Sequence, residues 1–374
     1  MSEPPAATVT TMRASPLSRL EPDKKLQATR RLSAAVVGAG LMGRWHALAA
    51  QHAGASVVGI VDPDPHRAAS LARQLRLAHP AASLEELLRN NSIDVIHVCT
   101  PSGSHFASAL TALDAGCHVL VEKPFAEDLV SAKRLVDAAT MHGRIVCPVH
   151  QFLFQRGALA AKAHLRALGP LRHIEMEICS AGAQSTPESR EAVAIEILPH
   201  PLAFAAWLCD TPITAGDWDC RQVTAGELTV FASVGDVGFS ARISMRGRPP
   251  ANRLRLVAER GTLHLDLFHG FSIVERSGVS KVAKLVRPFL FAAKICVAAS
   301  GNLLARSLHA EMAYPGLREL VRRFYRAASG HGPNPIPTDE MLAVMAVWDS
   351  LRHQLQFSAV PGYGGPERPA LEAT

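Results

Sequence analysis

Lys123 closes the apolar run "CHVLVE" and is followed at once by Pro124, which cannot donate to a further ladder, so its ammonium stands at a strand end. A cation in that place projects into the crevice beyond a sheet, where it can bind a substrate oxygen and stabilise negative charge developing there. The competing assignment is an ion pair with Glu122. His200 lies between Pro199 and Pro201, a pattern tolerated best in the first turn of a helix, here "PHPLAFAAWL". The positive end of the helix dipole disfavours the imidazolium and leaves a neutral ring able to accept a proton. Glu196, just before that turn, can orient or partly neutralise the ring; otherwise His200 is a satisfied half-buried histidine, one of 17 in the chain. A base and an oxygen-binding cation together suit reversible hydride transfer at a secondary alcohol carbon, provided that a hydride carrier is bound.

A carrier site is written in "AAVVGAGLMGRWHALAAQHAG" (34–54). Gly38, Gly40 and Gly43 form G-x-G-x-x-G at a strand-to-helix junction, with Leu41 and Met42 between the last two. The first glycine suits a tight turn, the second the approach of a pyrophosphate to backbone, and the third close helix–strand packing. Asp62 follows 24 positions after Gly38 at the end of the next apolar run. Its carboxylate can accept both ribose hydroxyls and would repel a 2′-phosphate, which favours NAD without excluding NADP, since His66 and Arg67 follow closely. The turn "CTPSGSH" (99–105) brings Thr100, Pro101 and His105 to the same carboxyl edge, where they can line the nicotinamide ribose together with Glu122 and Lys123; an ordinary capped loop is the alternative. His150 and Gln151, after the last apolar run of this half, are further candidates for substrate contact.

These residues need a scaffold, and the pattern supplies one. From residue 32 to 150, short continuously apolar runs alternate with helical patterns, which predicts an α/β domain with a doubly wound parallel sheet. From 151 to 360, the runs "RHIEMEICS", "GELTVFASV", "VGFSARISMRG", "RLRLVAERGTLHLDLF" and "FSIVERSG" read as strands of a second domain, with hairpin-like turns at Gly235, Gly261 and Gly270. The closing stretch 337–357 reads as a helix with an acidic start and a basic finish. Residues 1–31 read as a disordered Pro/Ser/Thr-rich leader without a secretory core, and 361–374 as a flexible tail.

Of 374 residues, 48% are hydrophobic, enough for two cores. The seven cysteines are too scattered for a disulfide framework or a C-x-x-C metal site, so no metal and a reducing cytoplasm are expected. The net charge of +6 is concentrated: residues 1–31 carry +3 and 281–306 carry +5 with no acid, leaving −2 elsewhere, which argues against nucleic acid. The basic apolar insertion 279–308 fits no sheet and, broken by Arg287, Pro288 and Lys294, is poorly suited to span a bilayer. A basic amphipathic helix pair is expected there, lying on an anionic membrane, docking a partner, capping the pocket, or packing on its own sheet or a dimer interface.

The segments "VVGAGLMGRWHA", "VDPDPHRA" and "VCTPSGSHFASALTALDAGCHVLVEKPFA" resemble the Gfo/Idh/MocA oxidoreductases, most specifically in E-K-P and T-P-x-x-x-H. The resemblance implies an NAD(P)-dependent enzyme acting on a sugar or polyol, an α+β second domain with a large, mostly antiparallel open sheet, and a homo-oligomer built on that sheet. It also implies a base from a D-x-x-x-H motif, matched here by Glu196 and His200, with glutamate in place of aspartate. The glycines that usually precede this motif and an arginine near Phe152 or Leu153 are missing. Those departures leave room for a nucleotide-sensing protein without catalysis, or for an enzyme that oxidises a sugar transiently to permit elimination or epimerisation.

Overall fold

The computed structural model describes residues 31–76, 79–181, 186–276, 281–309, 311 and 313–358; the expected leader, apart from Arg31, and the expected tail lie outside them. In the first half the chain runs β1 (Ser33–Val37), α1 (Leu41–His52), β2 (Ser56–Val61), α2 (Pro65–Gln74), β3 (His79–Ala81), α3 (Leu84–Asn90), β4 (Val95–Val98), α4 (His105–Asp114), β5 (His118–Val121), α5 (Leu129–Met141) and β6 (Val146–Pro148). The six strands pair in parallel in the order β3-β2-β1-β4-β5-β6. β4 and β5 are buried along their whole length, as expected of strands covered on both faces. Side chains start the helices: Asp64 accepts the backbone N–H groups of His66 and Arg67, and Asp128 accepts that of Ser131. At α3, Ser83 accepts from Glu86 N while Glu86 accepts from Ala82 N.

The chain continues through α6 (Arg156–Leu168), β7 (Leu171–Cys179), α7 (Pro187–Ile197), α8 (Pro199–Leu208), β8 (Trp218–Thr224), β9 (Glu227–Val234), β10 (Val237–Ser244), β11 (Ala251–Ala258), β12 (Gly261–Asp266) and β13 (Phe271–Arg276). It closes with α9 (Lys281–Leu308), α10 (Leu317–Ala328) and α11 (Thr338–Ser358). The second sheet has seven strands, β13-β12-β11-β7-β10-β9-β8, antiparallel except where β7 meets β10. Alternation sets its faces: Ile174, Met176 and Ile178 point into the core, while Glu175 and Glu177 point out and pair with Arg255 and Arg253 across the β7–β11 ladder.

α10 and α11 return to the first half. α10 packs on α1, α11 packs on α5, and Asn334 Nδ2 donates to Val146 O at 3.0 Å.

Three features depart from the expectations. β3 and β8 were not anticipated: the first is a three-residue edge strand containing Pro80, and the second has a mixed pattern, "WDCRQVT". Gly261 begins a strand, the turn before it being Glu259–Arg260. The insertion is one 28-residue helix and not a pair, running through Pro288. That proline removes one intrahelical hydrogen bond, a loss that water can make good on an exposed helix.

Candidate functional site

β1 ends at Val37, and the chain turns sharply at Gly38, whose φ is +101°. A Cβ there would lie 2.4 Å from Cys99 O, and one on Gly43 would lie 1.8 Å from Gly38 O, so both positions are closed by neighbouring backbone. Gly40 differs, since a Cβ on it would meet nothing within 4 Å. It faces a groove of about 740 Å³ that Leu41, Met42, Asp62, Thr100 and Pro101 also line. No side chain caps α1, so the N–H groups of its first turn are left to an anion.

Asp62 is buried at the end of β2. Its Oδ2 accepts Ala39 N at 2.8 Å and its Oδ1 accepts Asp64 N at 2.9 Å, so the carboxylate is fixed by the turn beside it and keeps lone pairs for a further donor. Thr100 Oγ1 is buried without a hydrogen-bond partner among the described residues. The groove therefore fits NAD: the start of α1 would take the pyrophosphate, Asp62 the adenosine ribose, and the Thr100–Pro101 turn the part leading to the nicotinamide.

Two residues expected to touch the cofactor are committed elsewhere. The His105 ring lies between two backbone carbonyls, Pro124 O at 2.7 Å from Nδ1 and Thr100 O at 2.8 Å from Nε2. It holds the Thr100 turn against the Glu122–Pro124 segment and does not line the groove. Glu122 also points inward, where His46 Nε2 meets its Oε1 at 3.0 Å and Lys123 N donates to its Oε2 at 3.2 Å. Despite full burial, its carboxyl is held below the usual range, the His46 contact and the Lys123 charge outweighing desolvation.

His46 belongs to a buried chain that sequence reasoning missed. His46 Nδ1 lies 2.9 Å from His97 Nδ1, and His97 Nε2 lies 2.9 Å from the Tyr325 hydroxyl. An ionised Glu122 can only accept. The arrangement that leaves both rings uncharged then runs one way: Tyr325 O–H donates to His97 Nε2, His97 Nδ1–H to His46 Nδ1, and His46 Nε2–H to Glu122. The signal for this was the single polar residue in the buried strand "VIHV".

Beyond Glu122, the first half meets the second. Lys123 is half-buried, and its ammonium makes no ion pair or hydrogen bond among the described residues, so the suggested pair with Glu122 does not form. His200 is buried in the first turn of α8, as expected from the flanking prolines. Its ring packs on Phe152, with centroids 4.5 Å apart, and meets His150 edge-on at 6.3 Å. Burial pushes its pKa well below the usual imidazole range, with the Lys123 charge and then His150 adding to the effect. The helix-dipole argument does not carry this, because Leu198 is itself helical and α7 runs almost directly into α8. Burial likewise pushes His150 down to about 4, with Glu122 opposing and Lys123 assisting. His200 Nδ1, His150 Nδ1 and Gln151 Oε1 are all buried without a hydrogen-bond partner among the described residues.

Glu196 is not among the groups that act on His200. Its Oε1 accepts from Ser102 Oγ at 2.9 Å, tying α7 to the turn after β4. The break at Leu198 gives Glu196, in the last turn of α7, different neighbours from those of His200 in the next helix.

Comparison with known proteins agrees with this architecture. The family model described as the oxidoreductase family with NAD-binding Rossmann fold matches residues 32–150. Inositol 2-dehydrogenase of Acidothermus cellulolyticus is 31% identical over 247 residues, covering 62% of this chain and 71% of that protein. The chain belongs to the Gfo/Idh/MocA family. It is an NAD(P)-dependent oxidoreductase of the kind that acts on CH–OH groups, with an NAD-binding first domain. Another Gfo/Idh/MocA relative, UDP-N-acetylglucosamine 3-dehydrogenase of Acidithiobacillus ferrooxidans, is 36% identical over 155 residues, 38% of this chain and 47% of its own. Among solved structures, the WlbA dehydrogenase of Bordetella pertussis, in complex with NADH and UDP-GlcNAcA, superposes with a TM-score of 0.68 at 18% identity. That match covers 87% of this chain and 96% of that one.

Proposed function

We propose that this Gfo/Idh/MocA protein interconverts a secondary alcohol and a ketone on a sugar, polyol or sugar derivative. Bound NAD supplies the hydride acceptor at its nicotinamide ring. The observation that carries the reading is the meeting of the buried His150 and His200 rings, each with an Nδ1 that has no partner among the described residues, beside an ammonium, that of Lys123, which acts on both. Buried polar groups are ordinarily satisfied, so such a cluster suits a ligand rich in hydroxyls. In the oxidation direction the C–H bond leaves as hydride, the O–H proton passes to the unprotonated imidazole of His200, and a C=O bond forms. Lys123 holds the oxygen as its negative charge develops. His150 and Gln151 position neighbouring hydroxyls, and Glu196 holds the two halves together through Ser102.

Relatives that act on a free cyclitol and on a nucleotide sugar support the substrate class from two sides. We place the enzyme in the cytoplasm as a homo-oligomer, on its scattered cysteines and the family's habit. The test is a panel of inositols, sugars, sugar phosphates and nucleotide sugars with NAD and NADP, followed by reduced-cofactor absorbance. Turnover of at least one member is expected, with NAD preferred. Tight NADH binding with no turnover across the panel would favour a sensor, and product formation without net NADH would favour transient oxidation.

A further inference from the structure

α9 is mounted the opposite way from an ordinary surface helix. Its mostly polar side meets its own sheet: Arg287 pairs with Glu275, Lys294 Nζ donates to Val274 O, and Asn302 and Arg306 donate to His269 O. Phe291 lies on the same side, against the His264 ring. The apolar side faces outward. Leu285, Phe289, Val297 and Leu308 are 74–77% exposed, and Leu304 continues the stripe over about 35 Å of helix. Phe268, next to the His269 that anchors the helix, is exposed as well. A patch of this kind marks a contact surface.

The charges indicate what covers it. The 28 residues hold five cations and no carboxylate. Arg287, although paired with Glu275, keeps 68% of its side chain exposed beside the stripe, and Lys284 is exposed one residue before Leu285. A second copy of the same helix would set cations against cations with no acid to answer them. An anionic bilayer surface answers both features, because acyl chains take the apolar stripe and lipid headgroups take the flanking cations. We propose that α9 lies in the plane of an anionic membrane surface and holds the enzyme there. By length and composition, Lys284–Leu308 could also cross a bilayer. Crossing would bury Lys294 near the middle of the span and strip the helix from β13.

The test is flotation of the full-length protein with vesicles of phosphatidylcholine alone or of an equal mixture with phosphatidylglycerol. Flotation with the anionic vesicles alone, weakened by salt, is expected. Phe289→Glu with Val297→Glu should abolish it, and Lys284→Glu should weaken partitioning on the order of tenfold, since a cation is lost and an anion gained. These side chains are exposed, so NADH binding should survive and report a folded protein. No flotation with either vesicle would overturn the proposal. So would binding that resists carbonate extraction, which indicates a span. A wild type that never floats, with an oligomer that the double variant dissociates, would instead assign the stripe to a second copy.

Discussion

At the scale of the residue, the proposed chemistry rests on two side chains contributed by different halves of the molecule. His200→Ala should lower turnover by about 10²- to 10⁴-fold, the usual contribution of a positioned base, and leave NADH binding by fluorescence intact. Because burial and Lys123 hold the ring well below the ordinary imidazole value, the acid limb of kcat in the wild type should fall below pH about 6.5. Lys123→Met should also cut turnover while NADH still binds; an unchanged rate in either variant removes that residue from the chemistry. The Tyr325–His97–His46–Glu122 chain makes a different prediction. Tyr325→Phe keeps the ring but leaves His97 Nε2 without its donor, so urea denaturation should show a loss of about 1–3 kcal/mol. A variant as stable as wild type would mean that the hydroxyl is not coupled to the chain.

At the scale of the element, the β1–α1 junction separates two kinds of glycine that look alike in sequence. Gly40→Ala adds a methyl to open groove at a φ of −76°, so the protein should fold normally and bind NADH at least about tenfold more weakly. Gly43→Ala drives a methyl into Gly38 O, so stability itself should fall, by about 3 kcal/mol, the upper end for overpacking. Paired thermal melts and NADH titrations check this. Equal behaviour of the two variants would refute the division between a cofactor glycine and a packing glycine.

At the scale of the whole molecule, buried neutral histidines set the response to acid. Burial pushes His118 and His150 each down to about 4, and lowers His97 and His200 well below the usual imidazole range. His118 Nδ1 accepts the Ile145 N–H at 3.1 Å, which a protonated nitrogen cannot do. The unfolded chain takes up a proton at each ring near pH 6.5, whereas the folded state refuses it until about pH 4 at His118 and His150. Stability should therefore fall as pH drops from about 6.5 to about 4, by on the order of 3 kcal/mol for each of those two rings. Glu122, held below its usual range, adds a loss at still lower pH. A melting temperature unchanged between pH 7 and pH 5 would contradict this.

The nucleotide groove was legible in the sequence because its parts are local. A strand end, three spaced glycines and a carboxylate at the next strand end are dictated by backbone geometry within 24 residues. His200 in a first helical turn was legible for the same reason, through the prolines on either side. Only tertiary structure decided where the polar side chains are committed. Glu122 and His105 lie in the expected segments yet turn inward, because buried partners 76 residues away (His46 for Glu122) and 19 residues away (the Pro124 carbonyl for His105) take their hydrogen bonds. His97 reaches Tyr325 across 228 residues, and Glu196 finds Ser102 instead of the histidine four positions on. Sequence periodicity specifies which face of an element is apolar. Which polar partner satisfies a buried group depends on how the elements pack, and the folded chain sets that by desolvation and hydrogen bonding over distances that no local pattern records.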